Sequence, residues 1–327
     1  MFLNHRKQPF ELLHYTALGK RRALTEKEQT ALRASHKGFI GEKNYDLILD
    51  ETGHRNMHIF RDVFLKIGKS YTQFDSIIIA EDRISLNEIK NYSGEYRFEN
   101  GNWYRNHQQM SDNPFVQTMR AKNKLQRLMT ENNIQYIVES ATVFVNDDFR
   151  LISDDDKIWK TTVLRNYLRT YFLSRGSSFV GNRTKQAAEI IKNAMVENPY
   201  LPDAAKIKTL KLGLYCGVCG EFDLEKSKFH FLCTNCGTKE SISTHMLRTL
   251  SDFKFLFPNE KMTKRKVLLL VDHQLSVRTI NRYLSKYCQL VKEDKKVSYK
   301  FLYYDFEEAI KSIPETRYKD WIKDMPN

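Results

Sequence analysis

The chain has 327 residues, 41% of them hydrophobic, which is enough for two or three ordinary globular cores and argues against wholesale disorder. It contains no run of eighteen apolar residues, and the opening MFLNHRKQPF lacks the apolar stretch of a secretory signal, so a protein kept in the cytoplasm, away from membranes, is expected. The net charge is +13, and between Ala205 and Lys300 there are 15 Lys and 4 Arg against nine acidic residues. That asymmetry points to a polyanionic partner, commonly nucleic acid, although a solvated basic surface produces the same count.

Residues 1–35 read as an N-terminal helical segment, in which LTEKEQTALRAS is an amphipathic helix capped by Thr25. From His36 to about Asp50, Phe39, Glu42, Tyr45 and Leu49 fall on one helical stripe, so Glu42 shares an inward face with apolar residues. YTQFDSIIIA follows as an isoleucine-rich strand with Asp75 in the parity of Ile77 and Ile79. After a turn at Glu81–Asp82, ISLNEIKNY puts Ile84, Leu86, Glu88 and Lys90 on one face. Each element thus sets a charge among apolar residues, and a buried carboxylate requires a partner. Lys90 is one candidate. A divalent cation is another, because carboxylates suit magnesium, an ion that keeps several waters, one of which can become a nucleophile. Lys90 would then position that water or offset charge on a phosphate. The plain alternative is that strands end in charges where they meet solvent, and a lone E-x-K carries no weight. An aspartate on a hairpin partner, with 12 residues between it and Glu88, adds weight.

The string GE(42)…TQFDSIII…NEIKNYSG…NPFVQ resembles the nuclease-related domain, NERD, itself similar to the PD-(D/E)XK nucleases, over about Gly38 to Phe149. The resemblance implies an α/β fold with a mixed-sheet core and flanking helices across 36–150. It implies Glu42 on the first helix, Asp75 on the central strand, Glu88 and Lys90 as the E-x-K, and Gln117 of the Asn113-Pro114-x-x-Gln motif near metal or phosphate. Asp75 and Glu88 would hold magnesium or manganese, with Glu42 helping through water. The implied activity is hydrolysis of phosphodiester bonds in nucleic acid, DNA favoured. Phe74 stands where the PD label has proline, and the family's tryptophan hairpin is present as Ser93-Gly94-Glu95 followed by Gly101-Asn102-Trp103. A NERD scaffold can also serve DNA binding without catalysis.

ENNIQYIVESATVFVND reads as a further strand or two, and SDDDKIW as a polar turn. Across 151–205, helical spacing from Val163 to Leu173 and from Thr184 to Glu197 gives helices expected to cover one sheet face. Within 206–242 the motif is Cys216-Gly-Val-Cys219, 13 residues, then Cys233-Thr-Asn-Cys236, with Gly220 and Gly237 after each pair. Two such knuckles supply the four thiolates of a closed structural zinc site, a zinc ribbon with KFHFLC as a strand and Tyr215, Phe222 and Phe229 as cover. An iron–sulfur cluster uses the same ligands, and a redox pair uses one C-x-x-C. The ribbon can also dock a protein partner.

In 243–327, MTKRKVLLLVDHQLSVRTINRYLSKYC has a helix-turn-helix look with Ser276 as N-cap. Val277, Ile280, Leu284 and Cys288 would face inward, with Cys288 a core thiol in the helix. Arg278, Asn281, Arg282 and Lys286 would project outward toward nucleic acid, and KKVSYKFLYY would form a wing, giving a winged-helix-like C-terminal domain. A small helical domain with a polar outer face is the plainer reading.

Overall fold

In a computed structural model of the chain, the described residues are 1–176, 179–293, 296–312 and 320. They form two compact units, Met1–Gln8 with Ala34–Tyr200, and Pro9–Arg33 with Leu201–Asn327. The first two helices are α1 (Phe10–Arg21) and α2 (Glu26–Thr52). The sequence suggests one helix before His36 and another after it; α2 instead runs through without a break, because no proline interrupts it. A capping box starts it: the Glu28 amide donates to Thr25 Oγ1 at 3.3 Å, and the Thr25 amide donates to Glu28 Oε2 at 2.8 Å.

The first unit continues with β1 (His58–Ile67), β2 (Ser70–Ile79) and β3 (Arg83–Lys90), an antiparallel meander. Next come β4 (Gly94–Glu99), β5 (Asn102–Arg105), β6 (Gln108–Gln109), α3 (Pro114–Glu131), β7 (Ile137–Phe144) and β8 (Phe149–Ile152). It closes with α4 (Asp156–Thr161), β9 (Thr162–Leu164), α5 (Leu168–Arg175), α6 (Asn182–Ala194) and β10 (Met195–Val196). The main sheet has the order β10-β1-β2-β3-β7-β9, with β3, β7 and β9 parallel and the rest antiparallel. A second sheet, β6-β5-β4-β8, carries the tryptophan hairpin; Trp103 is buried among Tyr96, Phe115 and Phe144.

Apolar residues of α3 and α6 pack with Phe60, Ile77 and Leu86 on one side of the main sheet. Those of α2 and α5, including Tyr45, Leu49, Leu168 and Phe172, pack with Ile59, Ile78 and Val143 on the other. The helices expected to cover one face therefore divide between two, since residues that recur at helical spacing say which side of a helix is apolar but not which face of a sheet receives it. SDDDKIW is not a turn throughout: Asp155 caps α4, its carboxylate accepting from the Lys157 amide at 2.8 Å.

The second unit holds α1, a three-stranded sheet of β11 (Leu224–Lys226), β12 (His230–Cys233) and β13 (Lys239–Ser241), and then α7 (Ile242–Leu256). After these come α8 (Lys264–Leu270), α9 (Val277–Tyr287), the hairpin β14 (Cys288–Glu293) and β15 (Lys296–Phe301), and α10 (Phe306–Lys311). Almost every residue of α7 is buried, because other elements of this unit surround it; Leu247, Leu250 and Phe253 meet Leu18, Ile280, Leu284 and Ala309. The fold is thus α/β with mixed sheets. No helix among the described residues is long and apolar enough to cross a membrane.

Candidate active site and cysteine cluster

The acidic site forms where β2 and β3 part. Their ladder runs from Ile79↔Ile84 to Ser76↔Asn87 and stops there. Beyond it the Asp75 carboxylate accepts a hydrogen bond from the Ile89 amide at 2.8 Å, replacing a backbone carbonyl. Asp75 is thereby fixed next to Glu88, which is only 3% exposed. On β1, Asp62 lies across from Asp75 in a left-handed conformation with φ of 48°. Strain of that kind in mid-strand reverses the side-chain alternation: Phe60 and Val63, and likewise Phe74 and Ile77, lie in the same core.

Lys90 Nζ donates to Glu88 Oε1 at 2.7 Å and to Gln117 Oε1 at 3.1 Å. The local reason for Gln117's placement is helix capping. Asn113 Oδ1 accepts from the Phe115 and Val116 amides at 3.0 and 3.4 Å, and Pro114 occupies the first turn, where its missing donor costs nothing. Burial and the neighbouring Asp75 push the Glu88 carboxyl up to about 7, with Lys90 opposing the rise. Lys90 keeps its proton well above its ordinary range; burial works against this, but Glu88 and Asp75 outweigh it. Behind the site, the buried Asn87 donates to the Tyr45 hydroxyl at 2.7 Å and accepts from that of Tyr171, holding β3 from the opposite face.

Glu42 reaches the same region from α2. Gly41 permits the approach, since a Cβ there would stand 2.4 Å from that of Asn91 at the end of β3. Glu42 is engaged by a residue that sequence reading missed: Arg6 Nη1 lies 2.6 Å from Glu42 Oε2. Arg6 also meets Asp46 at 2.7 and 3.1 Å and the main-chain oxygen of Asp75 at 3.0 Å. Burial and Asp75 push Glu42 up to about 8 while Arg6 draws it down, and burial raises Asp62 as well. No local motif marks Arg6, Asp46 or Asp62 in the sequence; Asp62 stands out only once its backbone is known.

A groove of about 630 Å³ opens beside Glu88 and Gln117. Arg120 and Lys124 of α3, Tyr71 and Gln73 of β2, and Asn102 of the tryptophan hairpin line it. Gln117, Arg120 and Lys124 recur at helical spacing, so one face of α3 runs from the E-x-K along the groove.

The four cysteines form a second cluster in the other unit. Their sulfurs all lie within 4.8 Å of one another, with Cys216–Cys236 and Cys219–Cys233 at 3.5 Å. Tetrahedral zinc with Zn–S of about 2.3 Å needs sulfurs about 3.8 Å apart, so the donor set fits that ion. The two knuckles repeat one hydrogen-bond pattern: Cys216 N to Glu221 O and Cys233 N to Thr238 O, both 2.8 Å. Each turns away through a left-handed glycine, Gly220 and Gly237 with φ of 77° and 73°. KFHFLC supplies β12 as expected, and Tyr215 is buried beside Phe222, whereas Phe229 is exposed. A buried pair braces the first knuckle: Glu240 accepts from the Gly217 amide at 2.9 Å and from Arg248, whose guanidinium also donates to Tyr215 O at 3.0 Å.

On α9, Ser276 caps the helix by accepting from the Thr279 amide at 3.2 Å. Ile280 and Leu284 are buried; Arg278, Arg282 and Lys286 are exposed and Asn281 half-exposed. Val277 does not turn inward but is 46% exposed, as it lies in the first turn, at the edge of the apolar stripe. Cys288 is buried, but it ends α9 and opens β14 rather than lying within the helix. β15 forms the expected strand; Lys295, the first residue of KKVSYKFLYY, lies outside the described residues.

No curated protein and no solved structure matches the chain. Residues 37–145 match the family model described as the nuclease-related domain, and the matched segment holds Glu42, Asp75, Glu88, Lys90 and Gln117.

Proposed function

We propose that the chain is a metal-dependent nuclease that hydrolyses phosphodiester bonds in nucleic acid, with DNA the favoured substrate. The observation that carries this reading is the junction of Asp75, Glu88, Lys90 and Gln117 at the parting of β2 and β3, beside an open groove. Crowded carboxylates, one of them with its acidity weakened by burial and by its neighbour, suit a hard divalent cation such as magnesium or manganese. Asp75 and Glu88 would hold it. When bound, such an ion makes a nucleophile of water and offsets charge on the phosphate. Lys90, kept protonated, orients the attacking water or the phosphate, and Gln117 fixes the lysine. Arg120 and Lys124 would hold the strand's phosphates along the groove.

The cysteine cluster would hold structural zinc, because a full thiolate shell leaves no open position. The exposed row on α9, followed by a hairpin, favours nucleic-acid binding by the second unit, and on that reading alone the protein would be a non-catalytic DNA-binding regulator. Incubation with plasmid and with single-stranded DNA, with and without magnesium, separates the two. Glu88→Ala and Lys90→Ala are expected to cut about 10²–10³-fold more slowly. Cleavage at the parental rate by both would overturn the nuclease reading; salt-dependent binding without any cleavage would favour the regulator.

A further inference from the structure

We infer that Arg6 is a resident cation of the acidic site, occupying Glu42 and Asp46 so that a divalent ion is left with Asp75 and Glu88, and that the chain binds one such ion there rather than two. This rests on the reading of Asp75 and Glu88 as ion ligands. Arg6 lies outside the segment that matches the nuclease-related domain, and nothing in that match assigns it a role.

The N-terminal segment delivers Arg6 rigidly. Phe2 pairs in parallel with Ile59 of β1, through Leu3 N to Ile59 O at 2.8 Å and Ile59 N to Met1 O at 3.0 Å. Asn4 then clips Arg61, its Nδ2 donating to the Arg61 carbonyl at 2.6 Å and its Oδ1 accepting from the Arg61 amide at 2.8 Å. Two residues on, the Arg6 side chain is 4% exposed and spends its whole fork locally: Nε and Nη2 on Asp46, Nη1 on Glu42, and Nη2 also on the main-chain oxygen of Asp75. A planar guanidinium held in this way is a fixed charge that bidentate geometry makes hard to displace.

The distribution of charge follows from these contacts. Arg6 and Arg61 face Glu42 and Asp46, and Lys90 faces Glu88. Among the described residues, no three carboxylates bring their oxygens within 4.8 Å of one another; only the four cysteines form such a group. A magnesium-like ion needs just one or two carboxylates, the rest of its octahedron being water and substrate oxygens. Asp75 and Glu88 meet that need. A second ion, of the kind that two-ion phosphodiesterases place on the far side of the phosphate, would have to displace a guanidinium from Glu42.

The test counts ions on the 327-residue chain supplied with zinc, using manganese followed by electron paramagnetic resonance and titration calorimetry. One Mn²⁺ per chain is expected at this site. Glu88→Gln should weaken it at least about tenfold, a loss of roughly 1.4 kcal/mol, whereas Glu42→Gln should change its affinity less than about threefold. Arg6→Gln should admit a second Mn²⁺. If that variant does not fold, Glu42→Gln in the otherwise native chain still decides. Two ions in the parent, or a tenfold loss of affinity on Glu42→Gln, would overturn the inference. DNA cleavage measured alongside keeps the readings apart: one ion with no cleavage leaves Arg6's role standing and removes the nuclease, and cleavage with two ions does the reverse.

Discussion

The thiolate cluster and the acidic site concentrate ionisable side chains by opposite routes. All four sulfurs come from two short knuckles separated by 13 residues, and the local backbone aims them, with Glu240 and Arg248 bracing the first. The acidic site draws Arg6, Glu42, Asp75, Glu88 and Gln117 from five segments, joined by a cap, a strand parting and an N-terminal clip. It forms only when the whole sheet does, and it keeps charges that oppose folding. Structural ligands can be local because they serve their own neighbourhood; a site that receives a substrate must be open on one side and braced from several others.

Removing the metal should therefore have the largest effect on one unit alone. If the cluster holds zinc as proposed, cysteine substitution at Cys233, or stripping of the metal, would take away on the order of 10 kcal/mol of binding energy from a ribbon with little core of its own. Limited proteolysis is expected to open the region around 206–242 first, while the fragment around Glu88 stays protected; equal digestion of both would break the contrast. Glu240→Ala should come next, at about 3–5 kcal/mol, because it leaves Arg248 buried without its partner and frees the first knuckle. Thermal unfolding of the zinc-loaded chain measures it, and a loss below about 1 kcal/mol would mean that the pair is idle.

The acidic site should behave in the reverse sense with pH. Glu88 titrates at about 7 in the folded chain against an ordinary 4.5, so its contribution to stability is full below 4.5 and is lost as the pH rises through 7. Melting temperatures of the parent relative to Glu88→Gln should fall between pH 5 and 8 without added divalent ion. Since the ion competes with that proton, Mn²⁺ affinity should rise about tenfold per pH unit below 7, or 1.36 kcal/mol per unit. A flat profile would sharpen the site toward structure and away from ion binding. The smallest effect expected is on α9: Arg278→Ala with Arg282→Ala should weaken DNA binding across sequences and reduce the salt slope by about two, read by fluorescence anisotropy.

Much of the acidic site was legible before folding. Glu42, Asp75, Glu88 and Lys90 each carried a charge on an otherwise apolar face, and the Asn-Pro-x-x-Gln string contained its own helix start. Arg6 and Asp46 were not legible, because a salt bridge across 40 residues leaves no periodicity. Nor was Asp62, whose left-handed backbone appears only in the fold, where Phe60 and Val63 on either side of it lie in the same core. Parity along β2 holds for Ile77 and Ile79, but it is reversed before them, where Phe74 lies in the same core.

By itself the sequence determined what short range can determine: the knuckles and their glycines, the capped starts of α2, α3 and α9, the isoleucine-rich strand and the E-x-K that follows its turn. Spacing acts through local backbone geometry, which any window of a dozen residues contains. The tertiary structure alone decided that α5 and α6 cover opposite faces, that Asp75 replaces a ladder bond, and that a buried guanidinium stands among the carboxylates. Those outcomes follow from desolvation, because a buried charge finds its partner wherever the folded chain supplies one, irrespective of distance along the sequence.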